Sequence, residues 1–114
     1  MRREEVKRDD MSIFIDSANL THVKTAVELG WVRGITTNPL LLAQSDMKTS
    51  ELLKSLKLLS KGPIFYQLTA NSLDASLAEA HEALEILEKQ LVVKLPPSDL
   101  GFRLCSELSC RMAC

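Results

Sequence analysis

No apolar run in these 114 residues approaches the roughly 20 residues that cross a bilayer; stretches such as Ile13-Phe14-Ile15 and Leu91-Val92-Val93 are far too short. A membrane span is therefore not expected. A secretory leader is not expected either, because Met1-Arg2-Arg3-Glu4-Glu5-Val6-Lys7-Arg8-Asp9-Asp10 opens on charge with no long apolar stretch behind it. A cytoplasmic location is the default. Cysteine is missing until Cys105, Cys110 and Cys114, and three thiols cannot pair completely within one chain, so they are read as reduced. The two histidines, His22 and His81, stand far apart on stretches that read as helical, so no metal site is expected. Glycine is scarce and scattered (Gly30, Gly34, Gly62, Gly101), and no glycine-rich loop follows the first apolar run. That argues against a nucleotide binder of the doubly wound kind. A formal net charge of -1 gives no reason to expect a nucleic-acid partner.

What is present is an ordinary globular composition, 46% hydrophobic and 25% charged, in a chain long enough for one modest domain. Residues 1–11 are nearly all charged, bury no apolar area to offset ordering, and read as a flexible extension. From 12 to 114 short β-branched runs alternate with longer amphipathic stretches, the signature of βα units and a parallel sheet.

Strands are expected at Ser12 to Asp16, Trp31 to Thr36, Ile64 to Leu68 and Gln90 to Leu95. Helices are expected from about Leu20 to Leu29, with capping chemistry at Asn19 and Thr21, and from Thr49 to Ser60, with Leu52, Leu53, Leu56 and Leu59 at helical spacing. Ser72 to Lys89 carries the clearest periodicity, with Leu73, Leu77, Ala80, Leu84 and Leu87 on one stripe. Asn38-Pro39 reads as a break, and Ser98-Asp99 as the start of a last helix. Four βα units are half of the eight that close a (β/α)8 barrel, or enough for a small open sheet.

In parallel α/β folds ligands meet the carboxyl ends of the strands. Asp16, Thr36-Thr37-Asn38, Gln67 and Lys94 close the four apolar runs, about one βα unit apart each time. Side chains alternate along a strand, so Thr36 and Asn38 share a side, as do Phe14 with Asp16, Phe65 with Gln67 and Val92 with Lys94. One concave face would then carry an acid, amides and an amine. Each residue also has a plain structural reading: Asp16 an N-cap, Asn38-Pro39 a turn, Gln67 a strand-end amide, Lys94 a lysine snorkelling from the rim. Lys94 is the sharpest, because taking an ammonium out of water favours the neutral amine that condenses with a carbonyl.

Together the phrases Ile13-Phe14-Ile15-Asp16-Ser17-Ala18-Asn19, Gly34-Ile35-Thr36-Thr37-Asn38-Pro39, Phe65-Tyr66-Gln67 and Val92-Val93-Lys94-Leu95-Pro96 resemble the small transaldolase and fructose-6-phosphate aldolase family across about Ser12 to Leu108. The resemblance implies the N-terminal half of a TIM-type (β/α)8 barrel. It implies a class I mechanism in carbohydrate metabolism of the pentose phosphate kind, with no metal or organic cofactor. Lys94 is the Schiff-base residue, Asp16 the acid/base, and Gln67 positions the catalytic water. Thr36 and Asn38 hold a sugar phosphate or dihydroxyacetone-type substrate. Glutamine rather than glutamate at position 67 leans towards the aldolase group.

Family members continue for four more βα units, and the ending Cys110-Arg111-Met112-Ala113-Cys114 departs from the family's fourth helix. A truncated or frameshifted reading frame with weak or no activity alone is the expectation. An open half barrel exposes two sheet edges and an apolar inner face, so self-association into a homo-oligomer is expected too. The alternative reading is a non-catalytic α/β half-barrel module that self-associates.

Overall fold

A computed structural model describes residues 12–112. The charged extension of residues 1–11 and the Cys114 thiol lie outside the described residues, as does the side chain of Cys110. The chain runs β1 (Ile13–Asp16), α1 (Leu20–Glu28), β2 (Val32–Thr36), α2 (Pro39–Ala43), α3 (Thr49–Leu59), β3 (Ile64–Gln67), α4 (Leu73–Leu87), a 3-10 turn (Glu88–Gln90), β4 (Leu91–Lys94) and α5 (Asp99–Met112). The four strands form one parallel sheet in the order β1-β2-β3-β4. This is the α/β half-barrel arrangement that the alternating pattern predicts.

Alternation divides the sheet into two faces. Ile15, Ile35, Ile64, Tyr66, Leu91 and Val93 turn towards the helices and join a core with Val23, Leu52, Leu56, Leu77, Ala80, Leu87 and Leu104. Each such side chain taken fully out of water contributes about 1.5–3 kcal/mol, which orients every helix on the same side of the sheet. Along β3 burial alternates strictly, with Ile64 and Tyr66 buried and Phe65 and Gln67 half-buried.

Local chemistry sets the helix ends. Asn19 Oδ1 accepts from the His22 N–H at 3.1 Å and starts α1, while Thr21 makes no cap. Gly30, at φ +78°, closes that helix in a conformation that disfavours any side chain. Ser72 Oγ accepts from the Ala75 N–H at 3.2 Å and starts α4; Ser98 Oγ accepts from the Gly101 N–H at 3.1 Å at the head of α5. The helix α2 was not expected. Asn38-Pro39 does not merely break the strand: Asn38 Oδ1 accepts from the Leu41 N–H at 2.9 Å, and Pro39 occupies the first turn, where its missing N–H costs nothing. Helix α5 is continuous to Met112, so Cys110, Arg111 and Met112 of the departing ending still lie on helix.

The register fixes what lies level on the inner face. Asp16 pairs with Thr36, Thr36 with Phe65, and Phe65 with Val92; Gln67 pairs with Lys94. The β1–β2 pairing shifts between Ile13 and Phe14, where β2 carries one extra residue, Arg33. Phe14 and Phe65 meet edge to face with ring centroids 5.3 Å apart, and Gly34 lies against the Phe14 ring. A Cβ on Gly34 would collide with the Pro63 carbonyl oxygen and stand 3.0 Å from the Phe14 ring.

Candidate active site

Five polar residues named from the sequence stand at the carboxyl ends of the strands, and alternation puts all five on the inner face. They lie in two rows. In the lower row the Thr36 hydroxyl donates to Asp16 Oδ1 at 2.8 Å, on a level with Phe65 and Val92. In the upper row, one pleat further, Gln67 and Lys94 are direct neighbours. Lys94 and Gln67 are half-buried, while Asp16 is exposed. Among the described residues Lys94 makes no hydrogen bond or ion pair, which leaves its amine available to a ligand.

Asn38 shares this side of β2, but its carboxamide oxygen is committed to the α2 cap. Only its NH2 group is left to donate to a ligand. Thr37 turns the other way and is fully buried; its hydroxyl and its N–H both donate to the Phe65 carbonyl, at 2.7 and 3.1 Å. That double bond holds the mouth of β2 against β3, so the two threonines divide the work between positioning and presentation.

A second cluster escaped the sequence reading. Glu79 of α4 accepts four hydrogen bonds: from the Tyr66 hydroxyl at 2.6 Å, the Thr69 N–H at 2.8 Å, the Thr69 hydroxyl at 3.0 Å and the Ala70 N–H at 3.1 Å. Burial pushes this carboxyl up, but the bonds from Tyr66, Thr69 and Ala70 together outweigh it and hold Glu79 below the usual carboxylate range. Burial first, and then the bond to Glu79, push the Tyr66 hydroxyl far above the ordinary phenol range. The network clamps the loop that leaves β3 immediately after Gln67. Its one sequence signal is a carboxylate set between Ser76 and Ala83 on the buried stripe of α4.

An open groove of about 740 Å³ lies beside Asp16, lined by Ile15, Ser17, Asn19, His22, Leu41 and Asp46 among others. Among the described residues no group of three or more His, Cys, Asp or Glu side chains gathers as a metal site would, and no helix is long and apolar enough to cross a membrane.

Helices on one side of a parallel sheet, with acid, hydroxyl, amide and amine side chains at the strand ends on the other, define a half-barrel α/β protein of the (β/α)8 type. Comparison with known proteins narrows this class. The chain belongs to the Transaldolase/Fructose-6-phosphate aldolase family, whose model matches residues 13–111. It is 37% identical over 99 residues to a "Probable transaldolase" of Geobacter metallireducens, covering 87% of this chain and 46% of that protein. It is 35% identical over 101 residues to one from Geotalea daltonii, covering 89% and 47%, and 32% identical over 102 residues to one from Thermoplasma volcanium, covering 87% and 45%. The chain therefore spans a little under half the length of these relatives. The match extends into the C-terminal stretch that the sequence reading set apart.

Proposed function

We propose that this chain carries the Schiff-base half of a transaldolase or fructose-6-phosphate aldolase site, acting on ketose phosphates or dihydroxyacetone without a metal or organic cofactor. The observation that carries the reading is the placement of Lys94 beside Gln67, with the Asp16–Thr36 pair one row below on the same face. The Lys94 amine adds to the ketone carbonyl, and the carbinolamine loses water to give a protonated imine. Asp16 takes the proton from the hydroxyl next to the scissile carbon–carbon bond. That bond breaks, its electron pair enters the iminium to form an enamine, and the aldehyde departs.

In aldol cleavage the enamine is then protonated and the imine hydrolysed, with Gln67 orienting the water; in transfer it attacks a second aldehyde. Thr36 fixes the Asp16 carboxylate and, with the Asn38 NH2 group, holds sugar hydroxyls. The glutamine at position 67 favours the aldolase-type outcome. The place of such chemistry is cytoplasmic sugar-phosphate metabolism of the pentose phosphate kind. We further propose that these four strands, as an isolated monomeric unit, have weak or no activity, because they make only half the wall of an eight-stranded site.

Incubation with dihydroxyacetone or fructose 6-phosphate in the presence of borohydride tests the reading, since reduction locks the imine as a stable amine visible in the intact mass. The adduct is expected on the native chain and absent from Lys94→Ala. The bare inner face favours a second reading, a non-catalytic module that self-associates. A stable folded homo-oligomer that never forms the adduct would support it.

A further inference from the structure

We propose that Glu79 is a positioning residue for the water step of the imine: its carboxylate grips β3 on both sides of Gln67 and so holds the Gln67 carboxamide in place beside Lys94. This deepens the reading above and rests on it for the roles of Lys94 and Gln67.

The sheet alone holds Gln67 loosely. The last registered pair of β2 and β3 is Thr36 with Phe65, closed by the Thr37 N–H on the Phe65 carbonyl at 3.1 Å. Beyond that level the register of β3 continues with β4 alone, Tyr66 opposite Val93 and Gln67 opposite Lys94. Gln67 ends the strand, and among the described residues its carboxamide makes no hydrogen bond. Its side chain therefore points where the backbone of residues 66–70 directs it.

Glu79 supplies the missing hold from the helix side. Its Oε2 accepts from the Tyr66 hydroxyl at 2.6 Å and the Thr69 hydroxyl at 3.0 Å, while Oε1 accepts from the Thr69 and Ala70 N–H groups at 2.8 and 3.1 Å. One carboxylate grips the residue before Gln67 and the second and third residues after it. Ser76, about one turn earlier on α4, completes the grip, since its hydroxyl donates to the Ala70 carbonyl at 3.3 Å. Leu68, between the gripped points, is buried in the core. Thr69 and Ala70 lie outside strand and helix, and of the side chains only an ionised carboxylate offers acceptor sites for four donors at once.

In imine hydrolysis water adds to the iminium carbon, its proton passes to the nitrogen, and the carbon–nitrogen bond breaks to return the ketone and the protonated Lys94 amine. Imine formation runs the same path backwards, with the same water leaving. A group that orients this water speeds both directions equally and leaves the equilibrium fraction of imine where it is. Damage to the surroundings of the amine moves that fraction instead. A carboxamide displaced by about 1 Å costs on the order of 100-fold in such a step. Glu79 touches neither ketone nor water, and its whole effect on the step passes through Gln67.

The test mixes the full 114-residue chain with dihydroxyacetone, quenches with borohydride at successive times and reads the Lys94 adduct by mass, which gives a rate of approach and a plateau. Glu79→Ala is expected to reach the native plateau about 10- to 100-fold more slowly. Gln67→Ala is expected to be slowed to a similar extent. The double variant is expected to be no slower than Gln67→Ala to within about twofold, because a group that acts through another adds nothing once that other is gone. Glu79→Gln is expected to recover most of the native rate: its carbonyl oxygen takes the two loop N–H groups, and its NH2 group faces the two hydroxyls, which turn to accept. Glu79→Asp, one methylene short of the grip, is expected to stay slow, and it carries the contrast with glutamine where circular dichroism shows the alanine variant unfolded. A native rate in Glu79→Ala, equal rates in Glu79→Gln and Glu79→Asp, a lowered plateau in folded Glu79→Ala, or slowing that multiplies in the double variant would each overturn the role of Glu79. A native chain that forms no adduct instead fails the reading of Lys94 itself, and the positioning role falls with it, so the native chain alone tells the two failures apart.

Discussion

The Thr36 hydroxyl donates to Asp16 Oδ1 at 2.8 Å across the mouth of β1 and β2. Asp16 is exposed, so this bond contributes little to stability, about 1 kcal/mol or less. Its consequence is positional, because it fixes one carboxylate oxygen and leaves the other to a ligand. With Asp16 in the proposed acid/base role, Thr36→Val is therefore expected to leave the urea midpoint nearly unchanged while slowing the proposed carbon–carbon cleavage about 10- to 100-fold, the cost of a misplaced acid/base. Stability and the rate of aldehyde release, measured on the same preparation, separate the two effects. An equal loss of both would mean that the bond is structural.

Glu79 makes the fold sensitive to acid. Its folded value is depressed, so the stability it contributes is fully present above the unfolded carboxylate value of about 4.3 and is lost as pH falls through the folded value. Urea midpoints should hold down to about pH 5 and fall below it in the native chain, and Glu79→Gln should flatten that fall while lowering stability at neutral pH. Glu79→Ala strands the Tyr66 hydroxyl and two loop N–H groups, at a cost of about 1–3 kcal/mol. An unchanged pH profile in Glu79→Gln would show that the clamp is not ionic.

Gly34 is required by contact rather than by backbone angle. A side-chain carbon there meets the Pro63 carbonyl oxygen and the Phe14 ring, so Gly34→Ala must spread β2 from β3 or displace the Phe14–Phe65 pair. An overpacking loss of about 1–3 kcal/mol is expected, read as a lower thermal midpoint. Gly30→Ala tests the other kind of need: nothing crowds that position, and any loss comes from φ +78° alone.

Asn38 serves two ends at once. Asn38→Ala removes the α2 cap, at about 1 kcal/mol, together with the one amide donor that β2 offers the site. Asn38→Asp keeps the cap and removes the donor. If the amide binds substrate, both variants weaken ketose binding, and only the alanine variant loses stability.

The inner face was legible in the sequence because a strand has a period of two. Once Ile35 and Tyr66 are assigned to the core, Thr36 and Gln67 must point the other way. Strand and helix limits came out within a residue or two for the same reason, since Leu52, Leu56, Leu77, Ala80 and Leu87 mark one stripe each. What stayed hidden depends on contacts distant in sequence. Asn38-Pro39 is a turn signal and also a helix start, and only the Leu41 N–H decides between them. Glu79 looks like any acid on a helix until the fold carries the β3–α4 loop across it. The two-row stagger of the polar residues follows from strand register, which no single strand encodes.

Lys94 is the amine expected to react. Site-resolved mass spectrometry of the chain after ketose and borohydride treatment tests it most directly, because Lys24, Lys48, Lys54, Lys61 and Lys89 are exposed internal controls in the same molecule. The reduced adduct is expected to concentrate on Lys94, and excess fructose 6-phosphate to suppress its labelling by dihydroxyacetone. Adduct spread evenly over the exposed lysines, with Lys94 unmodified, would contradict it.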